Sequence, residues 1–440
     1  MTENYAELLV DGHRILPALL ADIAGAERFI HISIFLFFRD PIGEEIAAAL
    51  AAKARAGVDV RVLLNIQKTH MGDPFSTGEK EMMEHDPNVQ YDPTDVKPLC
   101  EQLTAGGVLV RDTNIDYDAE VNVPDPRLRS IAQQIRGAIE IDDMHIDHRK
   151  LIVIDGRSGW CGGANIGAQY LFHVPFDPEK DAQEEGQERK LAHLPEPWWK
   201  WHDSLTRFEG PIVSELEKHF HERWVLDGGD DYESTPHSPS NSATRGRAIR
   251  TAEIYSNQPD DQPNSVRELY LRLIREAKHS IFIENPYLYH PELARVLCAA
   301  KTANPSLKVE LIVPSGRHND NSFSQDAQEH EYERFVTCGI HVYEYRNHFN
   351  HLKMAVFDGR FSIHGSTNLN CRSLENDKDF ELIVLVDDEP FARSVLEQVR
   401  DVDVQHAHRI GERDLHGSVS GLRRRVRDPR TLLLLSKRML

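Results

Sequence analysis

The chain has 440 residues, 51 Lys and Arg against 71 Asp and Glu, and a formal net charge of −20. Its 40 % hydrophobic and 28 % charged content and mean hydropathy of −0.49 suit a globular protein of two or three domains. They exclude a collagen, a disulfide-stapled mini-protein and a largely disordered chain.

The N-terminus MTENYAELL lacks the basic and apolar regions of a secretory signal. The longest apolar run, Phe29 to Phe38, is broken by His31 and Ser33 and is too short to span a bilayer. These features point to a cytoplasmic protein. Five cysteines, Cys100, Cys161, Cys298, Cys338 and Cys371, are odd in number, scattered and without a CxxC spacing, which reads as reduced thiols. The acidic excess speaks against nucleic acid as the partner, because phosphate backbones are held by Lys and Arg.

A repeat organises the chain. GAERFIHISIFLF precedes GEEIAAALAAKARAGVDVRVLLN, and much later EAKHSIFIENPYL precedes PELARVLCAAKTANPSLKVELIV. Each reads as strand, turn, helix and β-branched strand. Each copy leads to a second shared phrase, HRKLIVIDGRSGWCGGANIG and HLKMAVFDGRFSIHGSTNLN. The expected architecture is therefore α/β, with two similar halves, each a mixed sheet flanked by helices, and a site at their interface. The first half is expected over 1–226, a Ser/Pro/Gly/Asp-rich linker over 227–250, and the second half over 251–440. The spacing between shared phrases is longer in the first half, which implies an acidic insertion of about 48 residues within 68–142. Met71 to Asp143 alone carries a net charge of −10.

The shared phrases carry the chemistry. Residues i and i+2 of a strand face the same way, which sets His148 beside Lys150 and His351 beside Lys353. The lysines suit phosphate oxygens. The turns around Gly163 and Ser366 offer backbone N–H groups, and Asn165 and Asn368 add side-chain donors. Two such half-sites facing each other suffice for phosphodiester chemistry with no cofactor and no metal. One histidine attacks phosphorus; the other protonates the leaving alcohol and deprotonates the incoming alcohol or water. His145 with Asp147 and His148 is a weaker alternative, a metal site without a counterpart in the second copy. Cys161 and Cys371 near the turns read as small buried residues.

The two HxKxxxxD phrases, each followed by a Gly-rich turn and Asn, resemble the phospholipase D superfamily. FLFFRDPIGEEIAAALAAKARAGVDVRVLLN, WHDSLTRFEGPIVSELEKHFHERW and GSTNLNCRSLENDKDFELIVLVDD resemble bacterial cardiolipin synthases. The similarity covers roughly 5–66, 144–170, 198–226 and 252–405. The resemblance implies a phosphatidyltransferase or phosphodiesterase acting on glycerophospholipids such as phosphatidylglycerol, with an alcohol or water as acceptor. It marks His148, Lys150, Asp155, His351, Lys353 and Asp358 as catalytic and Asn165 and Asn368 as substrate-binding, with His148 the nucleophile and His351 the acid/base. Asp203 and Glu381 match supporting carboxylates of the family. The superfamily's nucleases, and a non-catalytic protein that binds anionic lipid, are the competing readings. The last twenty residues, with seven basic residues before and after Leu432 to Leu435, suit peripheral contact with an anionic membrane face. Trp198, Trp199 and Trp201 suit either a lipid interface or packing against the first motif.

Overall fold

The computed structural model describes residues 3–66, 69, 96–113, 146–175, 200–233, 244–258, 263–316, 322–374, 379–411 and 414–415. β-Branched and apolar runs form the strands: β1 (Asn4–Val10), β2 (Phe29–Ile34), β3 (Asp59–Leu64), β4 (Leu109–Asp112), β5 (Ile146–Asp147), β6 (Leu151–Ile154), β7 (Ser158–Gly162), β8 (Ser204–Glu209) and β9 (Arg247–Ile249). The second series is β10 (Thr251–Asn257), β11 (Ser280–Glu284), β12 (Lys308–Pro314), β13 (His341–Tyr345), β14 (Met354–Phe357), β15 (Phe361–Gly365), β16 (Asp379–Asp387) and β17 (Ala407–Arg409).

The strands make two mixed sheets, ordered β4-β3-β2-β6-β7-β8-β1-β9 and β10-β16-β15-β14-β11-β12-β13-β17. Read in opposite directions, the orders match strand for strand from β4 to β1 and from β13 to β10. β2 runs parallel to β3 and antiparallel to β6, as β11 runs parallel to β12 and antiparallel to β14. The crossover helices Pro41–Arg55 and Pro291–Ala303 start alike: Asp40 and His290 cap them through side chains, and proline occupies the first turn. One apolar core covers the outer face of each sheet. A third joins the halves, with Leu151, Val153 and Phe208 of the first sheet and Met354, Val356 and Val384 of the second. Among the described residues no helix is long and apolar enough to cross a membrane.

The structure corrects three expectations. Residues 96–113 are not part of an insertion. They form the helix Lys97–Ala105 and β4, which extends the first sheet parallel to β3, as the helix Ser322–Thr337 and β13 extend the second. Leu99 and Leu103, both fully buried at helical spacing, are the core face that a length comparison overlooks. The rest of 68–142 lies almost wholly outside the described residues. Arg247–Ile249, assigned to the linker, is an edge strand paired with β1, so the first sheet continues to Ile249. Finally, Cys298 and Cys338 form a disulfide with a Cα–Cα distance of 5.6 Å. Packing of the helix Pro291–Ala303 against the end of Ser322–Thr337 creates this proximity, which a sequence separation of 40 conceals. Cys100, Cys161 and Cys371 are free, with Cys161 buried and Cys371 partly exposed. The basic tail beyond residue 415 lies outside the described residues.

Candidate active site

The two motif aspartates hold the fold rather than the chemistry. Asp155 and Asp358 adopt φ of 57° and 53°, and Gly156 and Gly359 after them 63° and 61°. This is the turn geometry that Asp-Gly favours between antiparallel strands. The Asp155 carboxylate accepts the backbone N–H groups of Glu27, Arg28 and Phe29; that of Asp358 accepts those of Lys278, His279 and Ser280. Each aspartate thus pins the hairpin end to the start of the neighbouring strand. Five residues of extended chain, about 17 Å, separate each from its motif lysine. The catalytic part expected of Asp155 and Asp358 is corrected accordingly.

At the other ends of these strands the halves exchange partners. β5 pairs with the start of β16, and the His148 N–H donates to the Phe380 carbonyl at 3.0 Å. Reciprocally, His202 bridges to Asn350, and the His351 N–H donates to the His202 carbonyl at 2.8 Å. Each motif histidine therefore meets a carboxylate of the opposite half. His148 Nδ1 lies 3.0 Å from Glu381 Oε1, and His351 Nδ1 lies 2.7 Å from Asp203 Oδ2. Both carboxylates are fully buried. With Nδ1 of each ring bound to a carboxylate, Nε2 is the nitrogen turned to chemistry, in His351 with Lys353 Nζ 3.0 Å from it.

Lys150 Nζ donates to the His148 carbonyl at 2.7 Å and lies 5.1 Å from the Phe35 ring centre. Lys353 Nζ lies 3.0 Å from both ring nitrogens of His351. Phe35 packs edge-on against His148, while Tyr170, Trp201 and Phe349 surround His351 at centroid distances of 5.0 to 5.6 Å. Trp201 is therefore a wall of the second motif, not a lipid anchor or a support of the first. Trp198 and Trp199 lie outside the described residues. So does His145, and Asp147 is held by Arg149 and Arg223.

The Gly-rich turns differ from expectation. The Gly163 and Ser366 amides donate to the Ser204 and Leu382 carbonyls, each at 3.0 Å, so neither is free to hold an anion. Instead these two residues shape the carboxylates. A Cβ on Gly163 would overlap the Asp203 carboxylate, and the Ser366 hydroxyl donates to Glu381 Oε2. Asn165 Oδ1 accepts the Leu36 N–H at 3.1 Å, beside Phe35, whereas the buried Asn368 Oδ1 has no hydrogen-bond partner.

Burial and charge divide the groups. Burial and Lys150 push His148 down to about 4, against the pull of Glu381. Burial, Lys353 and Lys150 hold His351 well below its ordinary value. Burial and Lys353 push Lys150 down to about 7. Burial raises Glu381, but His148, Lys150 and the Ser366 hydroxyl outweigh it and keep Glu381 below the usual carboxylate range. Burial carries Asp203 up to about 7 despite Lys353. Sequence reasoning missed the aromatic wall and the Ser366–Glu381 bond. It also missed a buried group beneath Asp203, made of His202, Glu284 and Asp403. Only the apolar run through Phe35 carried a local signal.

The chain is similar to known proteins over most of its length. A cardiolipin synthase of Clostridium perfringens strain SM101 is 24 % identical over 405 residues, covering 90 % of this chain and 69 % of its own length. Cardiolipin synthase 2 of Staphylococcus epidermidis strain RP62A is 26 % identical over 397 residues, covering 90 % and 67 %. The crystal structure of the Haemophilus influenzae Rd KW20 phosphatidylserine synthase superposes with a TM-score of 0.66 at 15 % identity, covering 98 % of this chain and 94 % of that one, and so shares its fold. The family model described as cardiolipin synthase, PLD-like domain, matches residues 19–174 and 270–402, both halves of the repeat. The chain is a member of this phospholipase D-like cardiolipin synthase family.

Proposed function

We propose that the protein is a phosphatidyltransferase of the phospholipase D type, acting on glycerophospholipids such as phosphatidylglycerol through a phosphohistidine intermediate. What supports this most is the crossed pair of histidines, each with Nδ1 bound to a carboxylate of the other half and each beside a buried lysine. The names of the relatives, cardiolipin and phosphatidylserine synthases, favour a phospholipid donor over nucleic acid.

In this reading His148 Nε2 attacks the donor phosphorus. The bond from phosphorus to the head-group oxygen breaks, and the departing alcohol takes a proton from His351 Nε2. The acceptor hydroxyl then yields its proton to His351 and attacks the same phosphorus, releasing His148. Lys150 and Lys353 stabilise the equatorial oxygens. Burial and these lysines hold both rings neutral. A phosphodiester anion set against the lysines reverses that bias and permits the proton on His351. Glu381, kept ionised against burial by His148 and Lys150 with a further bond from Ser366, orients His148 and stabilises the charge that develops on it. No step calls on a metal, and water as acceptor gives hydrolysis by the same route.

The test is a mass-spectrometric product assay with phosphatidylglycerol and phosphatidylethanolamine liposomes, with and without glycerol. Cardiolipin or a new phosphatidyl-alcohol, absent with His148→Ala, is the expected result. Phosphatidic acid alone would make the protein a hydrolase. No lipid product, together with cleavage of single-stranded DNA, would overturn the lipid assignment.

A further inference from the structure

The polar group beneath the His351–Asp203 pair takes no part in the proposed reaction. His202, Glu284 and Asp403 come from the approach to β8, the end of β11 and the short helix Arg400–Asp403. Their relative exposures are 4 %, 0 % and 1 %, and one donor atom from each lies within 4.8 Å of the others. We propose that these three side chains form a structural site for one divalent metal ion of the zinc class, at the junction of the two halves.

Three independent features support it. The first is orientation. His202 Nδ1 lies 2.7 Å from Asp11 Oδ1 and donates there, so a cation bound at Nε2 would take the place of the proton that Nε2 otherwise gives to Asp403. A carboxylate behind a ligating histidine is the usual support of a metal-bound imidazole. The second is spacing. His202 Nε2 is 3.1 Å from Asp403 Oδ2, and two zinc ligands with bonds near 2.0–2.1 Å at a tetrahedral angle sit about 3.3 Å apart. The third is a carboxylate facing a carboxylate. The Asn350 amide donates to Glu284 Oε1, while Glu284 Oε2, fully buried, meets no donor group and interacts with Asp403, a contact that needs a proton or a cation between the two.

Charge points the same way. Asp11, Glu284 and Asp403 place three carboxylates around one imidazole, and among the described residues no Lys or Arg pairs with them. Buried charge in excess must take up protons or a cation. Tyr345 stacks on His202 at 5.1 Å and closes one side. A fourth position is left for a water molecule or for the second oxygen of a carboxylate. Because the His351 N–H is bound to the His202 carbonyl, the ion would brace the crossing of the halves rather than touch substrate.

The test is the metal content of the untagged full chain, purified without chelator, with melting temperature read before and after EDTA and after added Zn2+. About one zinc per chain, a lower melting temperature in EDTA and recovery with Zn2+ are expected. Asp403→Asn and Glu284→Gln should lose the bound metal and the zinc response, and Asp11→Asn should weaken zinc about 10- to 100-fold. His148→Ala, which removes turnover, should keep its zinc, so the site and the reaction are judged separately. If the variants do not fold, Co2+ in the wild-type protein decides: tetrahedral visible bands support the site and octahedral ones contradict it. Absence of bound metal with no response to EDTA or Zn2+ overturns the proposal, and the carboxyl groups then share a proton instead. Metal retained by both folded ligand variants overturns it equally.

Discussion

His148 and His351 stand at matching positions of two matching sheets, yet their surroundings diverge by a few side chains. Glu381 behind His148 receives the Ser366 hydroxyl and stays in its charged form. Asp203 behind His351 faces Gly163, which offers no hydroxyl, and burial carries it up to about 7. Phe35 packs edge-on against the first ring, whereas three aromatic side chains and the Lys353 ammonium crowd the second. A duplicated scaffold thus delivers two equivalent histidines backed by carboxylates in different states: against the pull of burial, His148 and Lys150, with Ser366 adding to them, keep Glu381 charged, while burial carries Asp203 up to about 7. The motif aspartates show the opposite: Asp155 and Asp358 make the same three backbone contacts in both halves.

The comparison breaks most severely at the histidines themselves. His148→Ala and His351→Ala should each lower kcat by about 10⁴-fold or more, and the double variant little further, because the pair acts as a unit. Unchanged melting curves beside lost turnover are the check. Next comes Asp155→Ala or Asp358→Ala. Loss of three backbone bonds and a non-glycine residue at positive φ should cost about 3–5 kcal/mol of stability. Denaturant midpoints should fall in both halves alike, while kcat per folded molecule stays near wild type.

Acid exposes the neutral histidines. His148 titrates near 4 when folded against an ordinary 6.5, so the folded chain binds fewer protons across that window and stability falls as pH falls. The contribution of His148 is about 3 kcal/mol by pH 4. His351 and the buried His364, pushed to about 3, act with the same sign, and Asp203 opposes them between its ordinary value and 7. Melting temperature against pH should therefore slope less steeply below 6.5 in His148→Asn. The smallest effect is expected from Ser366→Ala. Losing one bond to a charged carboxylate, about 1.5–3 kcal/mol, should lower kcat roughly 10- to 100-fold with KM little changed and shift the acid limb of the rate profile upward.

Much of this was legible because it is local. Alternating apolar strands, Pro and Asp at helix starts, and Asp-Gly turns specify each half within short windows, and their repetition reveals two halves. The motif pattern singled out His148, Lys150, His351 and Lys353, which the structure gathers at the crossing of the halves. The carboxylates were visible only through family resemblance, since Glu381 and Asp203 lie 233 and 148 residues from the histidines they contact. Asp155 and Asp358 were misread for a related reason. A motif states which residues recur, and only backbone conformation reveals that these two recur to close turns. Leu99 and Leu103, hidden in an acidic region, and Cys298 with Cys338 became meaningful only once tertiary packing brought their partners close.

The most direct test of the central claim is to trap the covalent intermediate. Protein and phosphatidylglycerol would be mixed, quenched within milliseconds at alkaline pH, where phosphohistidine survives, and mapped by peptide mass spectrometry beside His148→Ala and His351→Ala. A phosphatidyl adduct on the peptide carrying His148, accumulating in His351→Ala and absent from His148→Ala, is the result expected of two histidines divided between attack and proton transfer. An adduct on His351, or turnover with no adduct on either histidine, would contradict it.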